Sequence, residues 1–449
     1  MDAPTVVSAE YKPRADGSTM KALSWFGARD VCLVDAPPDD VILKVTGTTI
    51  CESDLHLYHG EIIQQQEGDI LGHEFMGVVD RVGSNVSNIH VGQRVVTSFQ
   101  IACGECSYCK QKLSSTCDRT NSSGLQNAMY GHRDAGFFGY SHFTGGFPGG
   151  RAEYISVPKG NVNLLPIPDS VSDEKALYLS DIVPTSYHAV VDARVKPGDV
   201  GLSPIGQCAA RFALMKGASR VIGIDNVPSR LIFAQEKSGI EVINFAEHAD
   251  VVKRIQELVP GRLDVAIDCG MPTFHQPKTL LRKVEKTLML ETDVSEIVND
   301  MITATRKMGS CGIIAAYAGR GFASSVTGRR PYTKYWHELL ALIEEGKFDP
   351  TFVLTHRVPL DDFPALYASF DKRVGGVKKV FVETKFSPPP FGAPRLSRVA
   401  EYKLESGPNI DDPMQWGADK DLEFLRSHRH PTYYSDLGSQ LKVVIPLAD

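Results

Sequence analysis

The sequence predicts an α/β chain: a β-rich part, then a part in which strands and helices alternate. Two patterns and the length carry this expectation. From Ala22 to about Pro166, β-branched runs alternate with glycine turns, as in VILKVTGTTI, GVVDRVG and RAEYISVP, which reads as a β-rich, barrel-like body. Between about residues 190 and 340, the short apolar strands RVIGID, EVINF, DVAIDC and CGIIAAYA alternate with helical periods, the mark of βαβ units and a parallel sheet. The 449 residues suffice for two or three domains with ample core.

Taken in order, residues 1–20 (MDAPTVVSAEYKPRADGSTM) read as a loose leader without the apolar stretch of a secretory signal. After about residue 387, SPPPFGAP reads as a Pro-rich linker, and residues 391–449 carry no chemical motif. Within that tail, QLKVVIP reads as a short strand able to cover an open sheet edge. There are no internal repeats.

Hydrophobic residues make up 42% of the chain and charged ones 23%, a globular balance. The net charge of -6, with no basic block, gives no reason to expect nucleic acid or an acidic membrane surface as partner. No apolar run is long enough to span a bilayer, and the final PLAD is no retention or peroxisomal address. The expected compartment is the cytoplasm, where thiols stay reduced.

Cys103, Cys106, Cys109 and Cys117 lie in CGECSYCKQKLSSTC with spacing C-x2-C-x2-C-x7-C. Four thiolates in one short loop suit a tetrahedral zinc with no open position, a structural site. The loop has few apolar residues, so the metal would organise it. The competing reading is two disulfides or four core cysteines. Against it, the other five of the nine cysteines are scattered and no secretory signal is present.

A closed cage does no chemistry, and two upstream stretches supply candidates for it. One is CESDLH, with Cys51, Glu52, Ser53, Asp54 and His56; the other begins Gly72-His73-Glu74. A thiolate and an imidazole are good zinc ligands, and a catalytic zinc needs three protein ligands plus an open position. Alone, Cys51 reads as a core cysteine and His73 as a hydrogen-bonded core histidine. Followed by the cysteine loop and then by LSDIVPTSYHAVV, which contains Asp181, the ordered set is hard to explain as packing.

These stretches resemble the zinc-dependent medium-chain alcohol dehydrogenases, and look closest to the formaldehyde-dehydrogenase-like branch. The matching segments are CESDLHLYHG, GHEFMGVVDRVGSNV, CGECSYC, TGGFPGGRAEYISVP, LSDIVPTSYHAVV, GASRVIGIDNVPSR, KTLLRKVEKTLMLETDVSE, KFDPTFVLTHRVPL and GVKKVFVET, over about residues 20–390. The resemblance implies a chaperonin-10-like catalytic zinc domain at 21–189, a Rossmann-like coenzyme domain at 190–345 and a return to the catalytic domain at 346–386, with 387–449 as an extension. It implies Cys51, His73 and Asp181 as ligands of a catalytic zinc, with Glu74 close to the metal. Two zinc ions per chain and NAD are therefore expected.

The coenzyme region departs from that family. Gly201-Leu202-Ser203-Pro204-Ile205-Gly206 stands where GxGxxG would be, and Ser203 replaces the glycine whose bare backbone approaches the pyrophosphate. A helix follows, with Ile205, Cys208, Ala209 and Phe212 at helical spacing. No strand precedes it, because only Asp199 and Val200 separate Gly198 from Gly201. Against the family, the first Rossmann strand is deleted. A second gap follows Gly319, where GRGFASSVTGRRPYT runs into KYWHELLALIEEGKF without the family's edge strand, the one used to pair subunits. The expectation is a truncated sheet of about four parallel strands, with open neighbours and impaired subunit pairing.

Other coenzyme signals survive. Asp225 ends VIGID, where a carboxylate accepts bonds from ribose hydroxyls and repels a 2′-phosphate, favouring NAD over NADP. Its bland alternative is a surface aspartate ending a strand. Arg230 is expected against the adenine ribose, and Lys379 where the family places a pyrophosphate contact, although KK at an edge is often plain solvated charge. Glu52 replaces the glycine of close relatives. A carboxylate there repels phosphate unless a cation intervenes or the side chain turns to solvent.

The mechanism implied is Lewis-acid zinc on the substrate oxygen, with Ser53 taking the alcohol proton and His56 passing it toward solvent. Asp54 orients a zinc ligand. The bland readings are a turn serine and a surface histidine. Two functions follow: an NAD-linked oxidoreductase interconverting a small-molecule alcohol and an aldehyde or ketone, favoured by the zinc constellation; or a zinc-binding relative with lost dinucleotide binding, suggested by the missing strand, Ser203 and Glu52.

Overall fold

The computed structural model describes residues 5–6, 19–24, 27–32, 39–60, 62–197, 204–269, 296–314, 332–372, 375–389 and 443–446. The hairpin β1 (Thr19–Ser24) and β2 (Gly27–Cys32) comes first. The β-rich part then contains β3 (Val41–Thr48), β4 (Phe75–Val82), β5 (Arg94–Thr97), the short pair β6 (Gln100–Ile101) and β7 (Gly136–Phe137), β8 (Tyr154–Val157) and β9 (Leu164–Pro166). In the second part lie β10 (Ile222–Asp225), β11 (Glu241–Asn244), β12 (Leu263–Asp268) and β13 (Thr305–Ile313). Then come β14 (Leu354–Pro359), β15 (Lys379–Glu383) and β16 (Val443–Pro446).

The first large sheet has seven strands in the order β14-β15-β3-β4-β5-β9, with β8 paired to β3. Only β14 and β15 run parallel. The sequence suggested a barrel-like body; the sheet is instead mixed and open, with β14 and β9 as its ends. Strands β14 and β15 join this sheet late in the chain, and Val382 pairs with Thr48. Strand β3 is buried on both faces rather than alternating. Val41, Leu43 and Val45 pack with Phe75, Val79 and the cysteines Cys103, Cys106 and Cys117 in one apolar cluster. Val6 of the expected loose leader joins that cluster, tied by its N–H to Arg119 O at 3.0 Å.

The second sheet is wholly parallel, in the order β11-β10-β16-β12-β13. Helices Pro228–Ser238 and Val251–Leu258 make the crossovers from β10 to β11 and from β11 to β12. Helix Pro204–Met215 buries Cys208, Ala209 and Phe212, the face its spacing predicts. Two expectations change here. The sheet has five strands among the described residues, not four, because β16 from the tail enters it. And β16 lies in the middle of the sheet, between β10 and β12, rather than along an edge. Strand β13 starts at Thr305, before the apolar CGII run, since this outer strand tolerates exposed Arg306, Lys307 and Met308. Gly201 and Ser203, and the gap after Gly319, lie outside the described residues.

Candidate metal centres and coenzyme crevice

The cysteine loop closes on itself around the short helix Ser107–Lys110. The Cys103 and Cys109 sulfurs lie 3.9 Å apart, as do those of Cys106 and Cys117. Four sulfurs at tetrahedral corners around zinc, each at 2.3 Å, would be ~3.8 Å apart. The N–H groups of Glu105 and Cys106 both point at Cys103 Sγ from 3.3 Å, which favours a thiolate. Without a metal, all four thiols cannot ionise together: Cys117 is pushed up to about 11, chiefly through its bond with Cys103. No disulfide joins these cysteines. The donor set fits zinc.

The second cluster is assembled from three places in the chain. Cys51 lies on the turn leaving β3, His73 and Glu74 immediately precede β4, and Asp181 caps helix Ile182–Asp192. The ligand atoms of Cys51, His73, Glu74 and Asp181 all lie within 4.8 Å of one another. His73 Nε2 stands 3.5 Å from Asp181 Oδ2 and 4.0 Å from Glu74 Oε1. Gly72 sits at φ +103, and a Cβ there would lie 2.5 Å from Arg151 Cγ, so the turn before His73 demands glycine. A thiolate, an imidazole and carboxylates at such range suit zinc.

Buried partners orient this set. His73 Nδ1 faces Asp54 Oδ1 at 3.2 Å, and the Cys51 N–H donates to Asp54 Oδ2 at 2.7 Å. Asp54 is also bonded by the fully buried Arg151, which donates to Thr49 O at 2.9 Å and Tyr367 Oη at 2.5 Å. Burial opposes the Asp54 charge, but Arg151 and His73 outweigh it and hold the carboxyl well below the usual carboxylate range. Burial likewise opposes a charged His73. The Asp54 charge and bonds with Asp181, Asp54 and Cys51 nonetheless raise it well above its ordinary value. Burial raises Glu74, against the opposing pull of Lys379.

Lys379 is not a solvated edge charge. It is buried, and its Nζ donates to Glu74 Oε1 at 2.5 Å and to Ile50 O at 3.1 Å. Burial works against its charge, but the nearby Glu74 keeps its pKa above the ordinary value. The neighbour Lys378 donates to Ser229 Oγ at 3.4 Å, on the helix that follows β10. Ser53 opens helix Ser53–Tyr58, and its hydroxyl bonds the half-buried Tyr140. His56 lies one turn further on the same helix. The Phe99 and Tyr140 rings meet His73 edge-on at 5.5 and 5.4 Å. Sequence reasoning passed over Arg151, Tyr140 and Lys378. For Tyr140, the aromatic run Phe137, Phe138, Tyr140 was a usable signal.

At the end of β10, Asp225 is buried rather than a surface residue, and its Oδ1 accepts from the N–H groups of Asn226 (2.6 Å) and Val227 (2.7 Å). Arg230 Nε stands 3.4 Å from Asp225 Oδ2, and its Nη1 4.0 Å from Glu52 Oε1. Glu52 therefore does not turn to solvent: it is buried, and a cation does intervene. Of the glycine turn, Gly206 is described, buried in helix Pro204–Met215; Gly201 is not.

Comparisons with known proteins agree with this architecture. Residues 37–169 match the alcohol dehydrogenase GroES-like domain, and 204–290 the zinc-binding dehydrogenase domain. A zinc-type alcohol dehydrogenase-like protein of Schizosaccharomyces pombe is 38% identical over 398 residues, covering 84% of this chain and 94% of its own. A glutathione-independent formaldehyde dehydrogenase of Pseudomonas aeruginosa is 31% identical, covering 76% and 88%. The solved alcohol dehydrogenase of a Thermus species superposes with a TM-score of 0.65 at 27% identity, over 82% of this chain and 99% of that one. A GroES-like domain joined to a Rossmann-like sheet, with two zinc-suited clusters, defines a zinc-dependent dehydrogenase. The chain belongs to the zinc-dependent medium-chain alcohol dehydrogenases. It is a zinc- and NAD(H)-dependent oxidoreductase interconverting alcohols with aldehydes or ketones. Nothing in the comparisons favours a relative that has lost activity. No helix among the described residues is long and apolar enough to cross a membrane.

Proposed function

We propose that this chain oxidises short primary alcohols, or reduces the matching aldehydes, at a catalytic zinc held by Cys51, His73 and Asp181, with Glu74 beside it. The observation that carries this is the convergence of those four ligand atoms within 4.8 Å. Bound there, zinc would supply Lewis acidity toward an alcohol or carbonyl oxygen, and NAD would supply the hydride acceptor. Asp54 and Arg151 fix the tautomer and orientation of His73. Ser53 takes the alcohol proton, and His56 hands it toward solvent. Phe99 and Tyr140 set aromatic surface against His73 beside the cluster, which suits a small substrate such as the aldehyde in the names of several relatives. Cys103, Cys106, Cys109 and Cys117 hold a second, structural zinc.

NAD is the preferred coenzyme in this reading, because Asp225 stands where a 2′-phosphate would meet its carboxylate. Arg230 lies near both Asp225 and Glu52 and offsets part of their negative charge, which weakens any repulsion of the coenzyme by Glu52. The catalytic domain comprises 21–189 with 346–386, and the coenzyme domain 190–345. Free thiols and the absence of disulfides among the described residues support a cytoplasmic home. The test is metal analysis together with an NADH-formation assay over a series of short alcohols. Two zinc ions per chain and turnover with NAD are expected. One zinc, or no turnover with any alcohol, would remove the catalytic half.

A further inference from the structure

Strand β16 differs from its sheet neighbours, because among the described residues no crossover helix delivers it. The chain passes from helix Ile182–Asp192 to helix Pro204–Met215 without a described strand between them. Yet the strand order reverses at that place, with β10 and β11 to one side and β12 and β13 to the other. The lane at the reversal is filled by Val443–Pro446.

Left empty, this lane would be costly. Strands two lanes apart are separated by ~9.6 Å, too far for β10 and β12 to pair directly. Each would present a row of open N–H and C=O groups. With the lane filled, Ile222, Val265, Ala266 and Ile267 along these strands are all buried, so emptying it would strip backbone partners from the centre of the sheet. The segment in the lane fits it. It runs parallel, aligning Ile222, Gly223 and Ile224 with Val444, Ile445 and Pro446 on one side, and Val265 and Ala266 with Val443 and Val444 on the other. Val443, Val444 and Ile445 are β-branched and form a continuous apolar run, the composition of a strand inside a parallel sheet. Pro446, which has no N–H to donate, stands at the last position, where the ladder ends.

We infer that the lane between β10 and β12 is a strand-acceptor site, and that its occupant is the segment Val443–Pro446 of the same chain. The segment restores the pairing of both neighbours by strand addition. In open parallel sheets, ligands bind outside the carboxyl ends of the strands, where the order reverses. The added strand lies at that reversal, beside β10 and the Asp225 that ends it. It therefore completes the floor of the coenzyme crevice.

The test compares the full chain, the chain lacking residues 391–449, and the full-length Val444→Asp variant, which places a charge in the centre of the sheet. Hydrogen exchange is read at Ile222–Asp225 and Leu263–Asp268, with Val41–Thr48 as internal control. Both altered proteins should lose ~100-fold protection in β10 and β12 while β3 stays protected. NADH should bind at least about tenfold more weakly. A synthetic peptide spanning residues 438–449 should restore both properties to the shortened chain. Unchanged protection of β10 and β12 in both altered proteins would overturn the inference. So would protection in the full-length protein that vanishes on dilution to monomer, since that places a second copy's strand in the lane.

Discussion

His73 holds its Nδ1 3.2 Å from Asp54 Oδ1, and this pairing leaves Nε2 as the ring nitrogen that faces Cys51, Glu74 and Asp181. The pairing is itself anchored, because Arg151, buried between Asp54, Thr49 O and Tyr367, keeps Asp54 charged. The ligand cluster thus rests on a buried chain of charges that reaches from β3 to the helix Phe363–Asp371.

Replacing Asp54 by Asn should loosen zinc and destabilise the fold at once. The ring loses its orienting charge, which should lower metal affinity about 30-fold. Arg151 is left as an uncompensated buried charge, at a cost of about 3 kcal/mol. Adding Arg151→Met should recover much of the stability and none of the zinc affinity. Chelator competition and thermal melting separate the two effects. Equal zinc retention in the Asp54→Asn protein would show that the pairing does not position the ligand.

The two clusters should respond in opposite ways to loss of a cysteine. Cys103, Cys106 and Cys117 pack against Val41, Leu43 and Phe75 in the core, so the cage organises structure as well as metal. Cys103→Ala should lower the melting temperature by roughly 8 °C or more, since a structural zinc contributes folding energy directly. Cys51→Ala should reduce turnover by at least about 1,000-fold and leave melting nearly unchanged. One zinc should remain in each variant. A Cys103→Ala protein with wild-type melting would demote the cage to a passive cluster.

The cysteine cage was legible in residue type and spacing, whereas the Cys51, His73 and Asp181 set was legible only through the resemblance to a family. What could not be read was how distant residues meet. Arg151 reaches Asp54 across 97 positions and Lys379 reaches Glu74 across 305. A KK pair reads as surface charge, and only the docking of β15 beside β3 reveals that Lys379 turns inward while Lys378 turns to Ser229. Likewise VVIP reads as a strand from its β-branched residues, but its lane is set by an opening between β10 and β12, far away in the chain. The open sheet read as a barrel because alternation of β-branched runs and glycine turns reports strands, not closure.

Coenzyme choice should turn on Asp225. Its Oδ2 faces Arg230, so Asp225→Ser removes the charge that repels a 2′-phosphate and releases a guanidinium that can bind one. The NAD to NADP ratio of kcat/KM should fall by about 100-fold, equivalent to ~2.7 kcal/mol. Steady-state kinetics with both coenzymes measure it. An unchanged ratio would place the ribose elsewhere.

Acid stability should carry the signature of His356. This β14 residue is buried, with Nδ1 2.8 Å from Thr355 Oγ1. Burial pulls its pKa from 6.5 to about 4, against a smaller opposing bond with the backbone of Gly375. The unfolded chain therefore takes up the proton first as pH falls. The stability held by the neutral ring is fully present above about pH 6.5 and is lost progressively down to about pH 4, in total about 3 kcal/mol. Asp349, lowered from 3.8, contributes only in a more acidic range. His356→Gln keeps a polar group near Thr355 but cannot titrate, so its stability should fall less steeply between pH 6.5 and 4. Urea unfolding at half-unit pH steps reads the slope directly. Identical slopes in the two proteins would show that His356 is protonated equally in the folded and unfolded states.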